Sequence, residues 1–157
     1  MPEGNNRDMK REETRKSPAE LIKDDPAAFK RVANSSPYYR LLGMEVKEVG
    51  ERFARFRLSF KPELRQLAGL VHGGAIASVM DSAGAIAALA AAEDCFGVTT
   101  AELKVNFLAP VSESDLVAEA RIVHCGSTLA VADVEVKDNS DSLVAKGLAT
   151  YVILRDR

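Results

Sequence analysis

Residues Gly73 to Ala92 form a stretch of small and aliphatic residues interrupted by one carboxylate, Asp81, and no other segment restricts the possible folds as strongly. Ile76, Val79, Met80, Ile86 and Leu89 fall at helical spacings, with alanine, glycine and serine between them. The pattern predicts a helix over about 73–92 that is apolar on nearly every side. Such a helix belongs in a core or in a membrane, and this one has about the length of a membrane span. A carboxylate in mid-span is costly in lipid, and neither end carries the Trp or Tyr of a membrane interface. Alanine-rich surfaces let a partner backbone approach closely, so the expectation is a central helix gripped by a sheet, with no membrane contact.

The rest of the chain is long enough to supply that sheet. At 157 residues and 46% hydrophobic content it is one domain with a substantial core. A net charge of −2 gives no electrostatic footprint for nucleic acid. Cys95 and Cys125 are not in metal or redox spacing, and the two histidines, His72 and His124, are too few for a protein-built zinc site, so no metal or cofactor is expected. Both cysteines read as small packing residues. Residues 1–16 are highly charged and lack an apolar stretch, so they do not resemble a signal peptide, and they predict a mobile tail before a single domain over 17–157. A cytoplasmic location is expected.

Ser17-Pro18-Ala19-Glu20 carries a cap residue, a proline at the first helical position and an acid at the third, and Asp25-Pro26 repeats the cap-proline signal. Residues 18–34 therefore read as two short helices or one broken at Pro26. Ser36-Pro37 opens a further helical turn that Gly43 stops. Alternation from Met44 to Phe60 around a turn containing Gly50 predicts a β-hairpin. Lys61 to Val71 is a connecting loop. After the central helix, Thr99 to Leu108 alternates with Leu103, Val105 and Phe107 opposite Thr100, Glu102, Lys104 and Asn106. Strands at 116–124, 128–137 and 143–154 follow, joined by short connectors rich in turn residues. Hairpin, long helix and meander make an α+β domain with one helix on one face of an antiparallel sheet.

Chemistry is concentrated at the helix start. Helix amino termini expose unpaired N–H groups, and at Gly73-Gly74 the missing side chains let a ligand approach that backbone, where a carbonyl developing negative charge is stabilised. The same glycines also fit a role in close packing of helix and sheet. Asp81 is the stronger clue, because an ionised carboxylate in apolar surroundings costs several kcal/mol unless it is paired or hydrogen-bonded. Its alternative role is structural, bonding a neighbouring strand or capping a loop. Gly73 and Asp81 lie about 12 Å apart along a helix axis at 1.5 Å per residue, too far to serve one reacting carbon. If both act on one substrate they come from different subunits, and a two-fold dimer creates two identical sites.

Gln66, His72-Gly73-Gly74, Asp81 and the run Thr100-Ala101-Glu102-Leu103-Lys104-Val105-Asn106-Phe107-Leu108-Ala109-Pro110 resemble the hotdog-fold acyl-CoA thioesterases of the PaaI/4-hydroxybenzoyl-CoA type, over about residues 36–154. The resemblance implies a sheet wrapped around the central helix, a homodimer whose two sheets join, and commonly a homotetramer. It places the backbone oxyanion donor on Gly73, the amide side chain beside it on Gln66, and the acid that acts as base or nucleophile on Asp81. The hydroxyl that helps hold the nucleophilic water falls on Thr100, with Thr99 as the rival. Adjacent strand residues face opposite ways, so only one of the two points at the site. In the resembled family the histidine mainly shapes the loop that presents the glycine, which assigns His72 and Gly74 to substrate binding. Ser127-Thr128 occupies a turn that contacts substrate in that family. Some members carry threonine one turn after the acid, where this chain has Ala85.

The implied activity is hydrolysis of an acyl-CoA thioester, with CoA entering as part of the substrate. Two other readings stand beside it: a hydratase or dehydratase on the same fold, and a non-catalytic acyl-CoA-binding or regulatory module. Asp81 in the helix behind His-Gly-Gly favours hydrolysis over the first. Asp81, Gln66 and Thr100 together favour it over the second.

Overall fold

A computed structural model describes residues 16–155. The mobile tail expected over 1–16 lies outside the described residues except for Lys16. Among the described residues three short helices precede the sheet, and the first two, α1 (Pro18–Asp24) and α2 (Pro26–Asn34), are separated at Asp25. Ser17 and Glu20 form a reciprocal capping box, Asp25 Oδ1 accepts from the Ala28 N–H at 2.9 Å, and each helix has proline in its first turn. The caps satisfy helix-start amides that would otherwise lack partners. α3 (Pro37–Leu42) ends at Gly43, whose φ of 77° is left-handed.

β1 (Met44–Gly50) and β2 (Phe53–Leu58) form the expected hairpin, with a register shift between Val46 and Glu48. That bulge returns Val49 to the core side, which strict alternation from Met44 and Val46 does not allow. The central helix α4 runs Gly73–Ala91, capped by His72 and followed by Ala92. β3 (Gly97–Phe107), β4 (Leu116–Cys125), β5 (Leu129–Asp138) and β6 (Leu143–Leu154) complete one six-stranded sheet. Gly97, expected in a turn, opens β3. α4 is the one helix among the described residues long and apolar enough to cross a membrane, and the sheet and short helices bury most of it.

The strand order is β1-β2-β4-β5-β6-β3, with every pairing antiparallel. The meander expected after the helix holds for β4, β5 and β6. It does not include β3, which pairs with β6 at the far edge, while β2 pairs with β4 and joins the hairpin to the meander. The reason is the longer connection after Phe107: it crosses the start of α4, where the Val71 N–H bonds the Val111 carbonyl at 2.7 Å.

The two edges of the sheet differ. Along β1, the Asn34 side chain at the end of α2 accepts from the Val46 N–H at 2.8 Å and covers part of that edge. β3 has β6 on one side and no strand on the other. Unpaired strand edges are templates for association unless something blunts them. The inner face of the sheet packs Phe56, Val134, Val136, Ala149 and Tyr151 against Val79, Met80, Ala83 and Ala87 of α4, all of them buried.

Gly147 shows how closely β3 and β6 approach. A Cβ there would collide with the Lys104 carbonyl and come within 3.1 Å of Met80 Cε. The backbone oxygen has no rotamer with which to retreat, so Gly147→Ala overpacks the pair. The expected loss is about 3 kcal/mol of stability. This corresponds to a melting temperature lower by roughly 10 °C. A wild-type thermal melt for this variant would show that the two strands separate freely.

Candidate active site

The start of α4 is held from three directions. The Val71 N–H is tied to Val111, the His72 N–H bonds the Leu64 carbonyl at 2.7 Å, and Arg65 bridges Val71. Between them residues 66–70 close a tight turn: the Gln66 N–H bonds the Leu70 carbonyl at 2.8 Å and the Gly69 N–H bonds the Gln66 carbonyl at 2.9 Å. Gly69 has φ of 84°, a conformation that glycine adopts without strain.

His72 is exposed and caps the helix. Its Nδ1 accepts from the Gly74 N–H at 2.8 Å, which leaves the ring proton on Nε2, and its carbonyl accepts from the Ala75 and Ile76 N–H groups at 2.9 and 3.3 Å. The Gly73 N–H is left with no partner among the described residues and lies at the positive end of the helix dipole. Both roles considered for the glycine pair are visible. A Cβ on Gly73 would sit 3.1 Å from the Phe107 ring, and one on Gly74 would sit 3.0 Å from His72 Nδ1, so a side chain at either position would push its neighbour by a few tenths of an ångström. Packing nevertheless leaves the Gly73 amide free to bind.

Gly73 shares a cavity of about 380 Å³ with Gln66. Gln66 Oε1 accepts from the Ala68 N–H at 2.7 Å, so Nε2 remains as a donor. Apart from these two donors the walls are apolar: Leu70, Ile76, Phe107, Leu108 and Pro110. The sequence reading names Phe107, Leu108 and Pro110 as part of the family resemblance and Ile76 as helix packing, without placing any of them in a cavity wall. Phe107 and Leu108 face outward, each 55% exposed.

Asp81 lies two turns further along α4, half-buried, on a strip with Ala77 and Ala85 that is likewise half-buried within one chain. Its Oδ1 accepts from Thr100 Oγ1 at 2.8 Å. This settles which threonine faces the helix and corrects the expected strand pattern. Alternation puts Thr100 on the outer face with Glu102 and Lys104, but a register shift between Thr100 and Glu102 turns it inward, opposite Tyr151. Thr99 pairs with Val152. The Thr100 proton goes to the carboxylate, and its lone pairs remain available to a water.

Tyr151, absent from the sequence reading, also reaches Asp81, donating to its main-chain carbonyl at 2.9 Å and standing 3.4 Å from Oδ1. Burial, reinforced by the Asp81 charge, pushes the Tyr151 phenol well above its ordinary pKa, so it stays a donor. Burial likewise raises Tyr39.

Within one chain the expected residues therefore form separate groups. Gly73 and Gln66 line one cavity, and Asp81 and Thr100 form a hydrogen-bonded pair elsewhere on the helix. Ser127 and Thr128 lie in the β4–β5 turn at the other end of α4. There the Arg155 guanidinium donates to the Ser127 carbonyl and, at 3.2 Å, to the Glu93 carbonyl, while the Thr128 carbonyl accepts from Ile153 N–H at 2.8 Å. His124 is exposed, Cys95 buried and Cys125 half-buried.

Comparison with known proteins agrees with this architecture. The sequence pattern of the Thioesterase superfamily matches residues 68–145. "Putative esterase SSO1253" of Saccharolobus solfataricus is 34% identical over 118 residues, covering 75% of this chain and 78% of that protein. The medium/long-chain acyl-CoA thioesterase YigI of Escherichia coli is 26% identical over 132 residues, covering 74% and 85%. The solved structure of the E. coli PaaI protein superposes with a TM-score of 0.75 at 20% identity, covering 88% of this chain and 96% of that one. At that identity the likeness concerns the fold: a hotdog sheet around its central helix.

Proposed function

The chain belongs to the thioesterase superfamily and is a hydrolase, and from that premise we propose that it hydrolyses acyl-CoA thioesters in sites shared between two subunits. One observation carries this reading: the unpartnered Gly73 amide and the Gln66 carboxamide open into one apolar cavity, where a thioester carbonyl meets two donors and its acyl group meets hydrocarbon. One such donor is typically worth about 3 to 4 kcal/mol of barrier.

The base comes from the partner subunit. Asp81 sits on the half-buried strip of α4, next to the open edge of β3, and the midpoint between Gly73 and Asp81 is Ala77, on the same strip. Two such helices crossing antiparallel about Ala77 bring each Gly73 to the other's Asp81, and alanine permits close approach. Edge-to-edge pairing of β3 then joins the sheets. Paired dimers forming a homotetramer complete the assembly proposed here.

In the reaction, Asp81 of the partner subunit takes a proton from a water held with Thr100. The water oxygen bonds to the thioester carbon and the carbonyl electrons move onto the oxygen held by Gly73 and Gln66. Collapse breaks the C–S bond and CoA leaves as the thiol after receiving the proton. In the variant with direct attack, an Asp81 oxygen adds to the thioester carbon, the C–S bond breaks as the CoA thiolate leaves, and water hydrolyses the resulting anhydride, regenerating the carboxylate and supplying the proton that CoA takes up. A thioester is activated enough for one oriented base and an oxyanion donor to suffice. His72 and Gly74 serve by shaping the helix start, and no metal or further cofactor takes part. Ser127 and Thr128 are assigned to substrate contact.

A thiol-release assay on a panel of aromatic and aliphatic CoA thioesters tests the reading. Stoichiometric release of free CoA from at least one class is expected. Tight binding across the panel without release would replace hydrolysis with the non-catalytic module.

A further inference from the structure

Tyr151 poses a question that the proposed chemistry leaves unanswered. Its side chain is completely buried against α4, where phenylalanine would fit the same space without a hydroxyl to satisfy. The hydroxyl has a prepared place. A Cβ on Gly84, one turn after Asp81, would overlap it, so the helix is hollowed at that position. From there it bonds the Asp81 carbonyl at 2.9 Å and lies 3.4 Å from Asp81 Oδ1, the oxygen that Thr100 also holds. Thr100 and Tyr151 stand directly opposite each other on β3 and β6, in the register that the shift before Glu102 creates. Two adjacent strands thus hold Asp81, Thr100 through Oδ1 and Tyr151 through the main-chain carbonyl with Oδ1 as the longer second contact of the same hydroxyl. Oδ2 has no hydrogen-bond partner among the described residues.

We infer that Tyr151 is a positioning residue for the hydrolysis proposed above: with Thr100 it fixes Asp81 through Oδ1 and leaves Oδ2 as the oxygen that meets the water or the thioester carbon. The inference rests on Asp81 being the base or nucleophile. Among the described residues, the titratable groups that register the Asp81 charge are Tyr151 on β6 and Tyr39 on α3, both pushed upward and therefore neutral donors in the working range.

The test uses the full-length protein with Tyr151→Phe. A donor to the ionised carboxylate favours the charged form, so its loss should move the acid limb of the kcat profile upward. kcat should fall about tenfold, with KM within about twofold. A second variant, with 3-fluorotyrosine at position 151, keeps the shape and strengthens the donor, and should move the same limb downward. Opposite displacements follow from a hydrogen bond to Asp81 and not from packing. A lower melting temperature with both limbs at the wild-type position overturns the inference. If the phenylalanine variant does not fold, an unmoved limb in the fluorotyrosine variant overturns it alone. Full turnover by Asp81→Asn overturns this inference and the reading beneath it. An inactive Asp81→Asn with unmoved limbs removes only the role of Tyr151.

Discussion

Asp81→Asn is expected to lower thioester turnover by about 10²–10⁴-fold, the usual contribution of a positioned general base, while leaving fold and assembly unchanged. The two halves of this expectation have separate causes. Asparagine has the size of aspartate, and its amide oxygen accepts from Thr100 and Tyr151 as Oδ1 does, so the grip of β3 and β6 on the helix survives. The amide nitrogen then occupies the place of Oδ2, where it neither takes a proton from water nor attacks a carbonyl carbon. With that frame kept, the melting temperature should stay level. Thiol release gives the first quantity, and size-exclusion chromatography with a thermal melt gives the second. Wild-type turnover in a well-folded Asp81→Asn protein would end the assignment of Asp81 to the chemistry. Loss of turnover together with loss of the assembly would return Asp81 to a structural role.

What could be read from the chain beforehand divides by the range of the interactions involved. α4 was legible almost to the residue because its boundary is compositional: His72 caps it, and the small-residue stretch stops where Glu93 and Asp94 begin. β6 was legible from alternation and from the turn residues before it. Strand order was not. The pairing of β3 with β6 joins Phe107 to Ala145 and Gly97 to Leu154, and neither strand carries a local mark of its partner. The bulge before Glu102 is similarly silent in the sequence, yet it turns Thr100 toward Asp81 against the alternation of its strand. Of the site, the groups that the helix start itself supplies were visible, since a glycine pair at the head of an apolar helix has a physical meaning on its own. Tyr151 was hidden because its importance lies in facing Gly84 and Asp81 across the core, a contact between residues some seventy positions apart.

Mixing two inactive variants should restore activity if each site takes its donors from one chain and its acid from the other. Gln66→Ala removes one oxyanion donor and is expected to cost about 10²–10³-fold in turnover, and Asp81→Asn removes the base. In a dimer of one Gln66→Ala chain and one Asp81→Asn chain, one site joins the intact Gly73 and Gln66 of the second chain to the intact Asp81 of the first. The other site carries both defects. Random assortment at equal concentration makes half of the dimers hybrids with one sound site of two, so about a quarter of wild-type activity should return. Co-expression with two affinity tags and purification of the hybrid should bring the recovery to about half. Sites contained within single chains predict no recovery, because every chain then carries a lesion of its own. The along-helix separation of about 12 Å between Gly73 and Asp81 argues against that outcome, since side chains reaching one reacting carbon must come within about 3.5 Å of it. A hybrid no more active than its parents would mean that the helices do not cross at Ala77, and the acid serving Gly73 would have to be sought elsewhere in the chain.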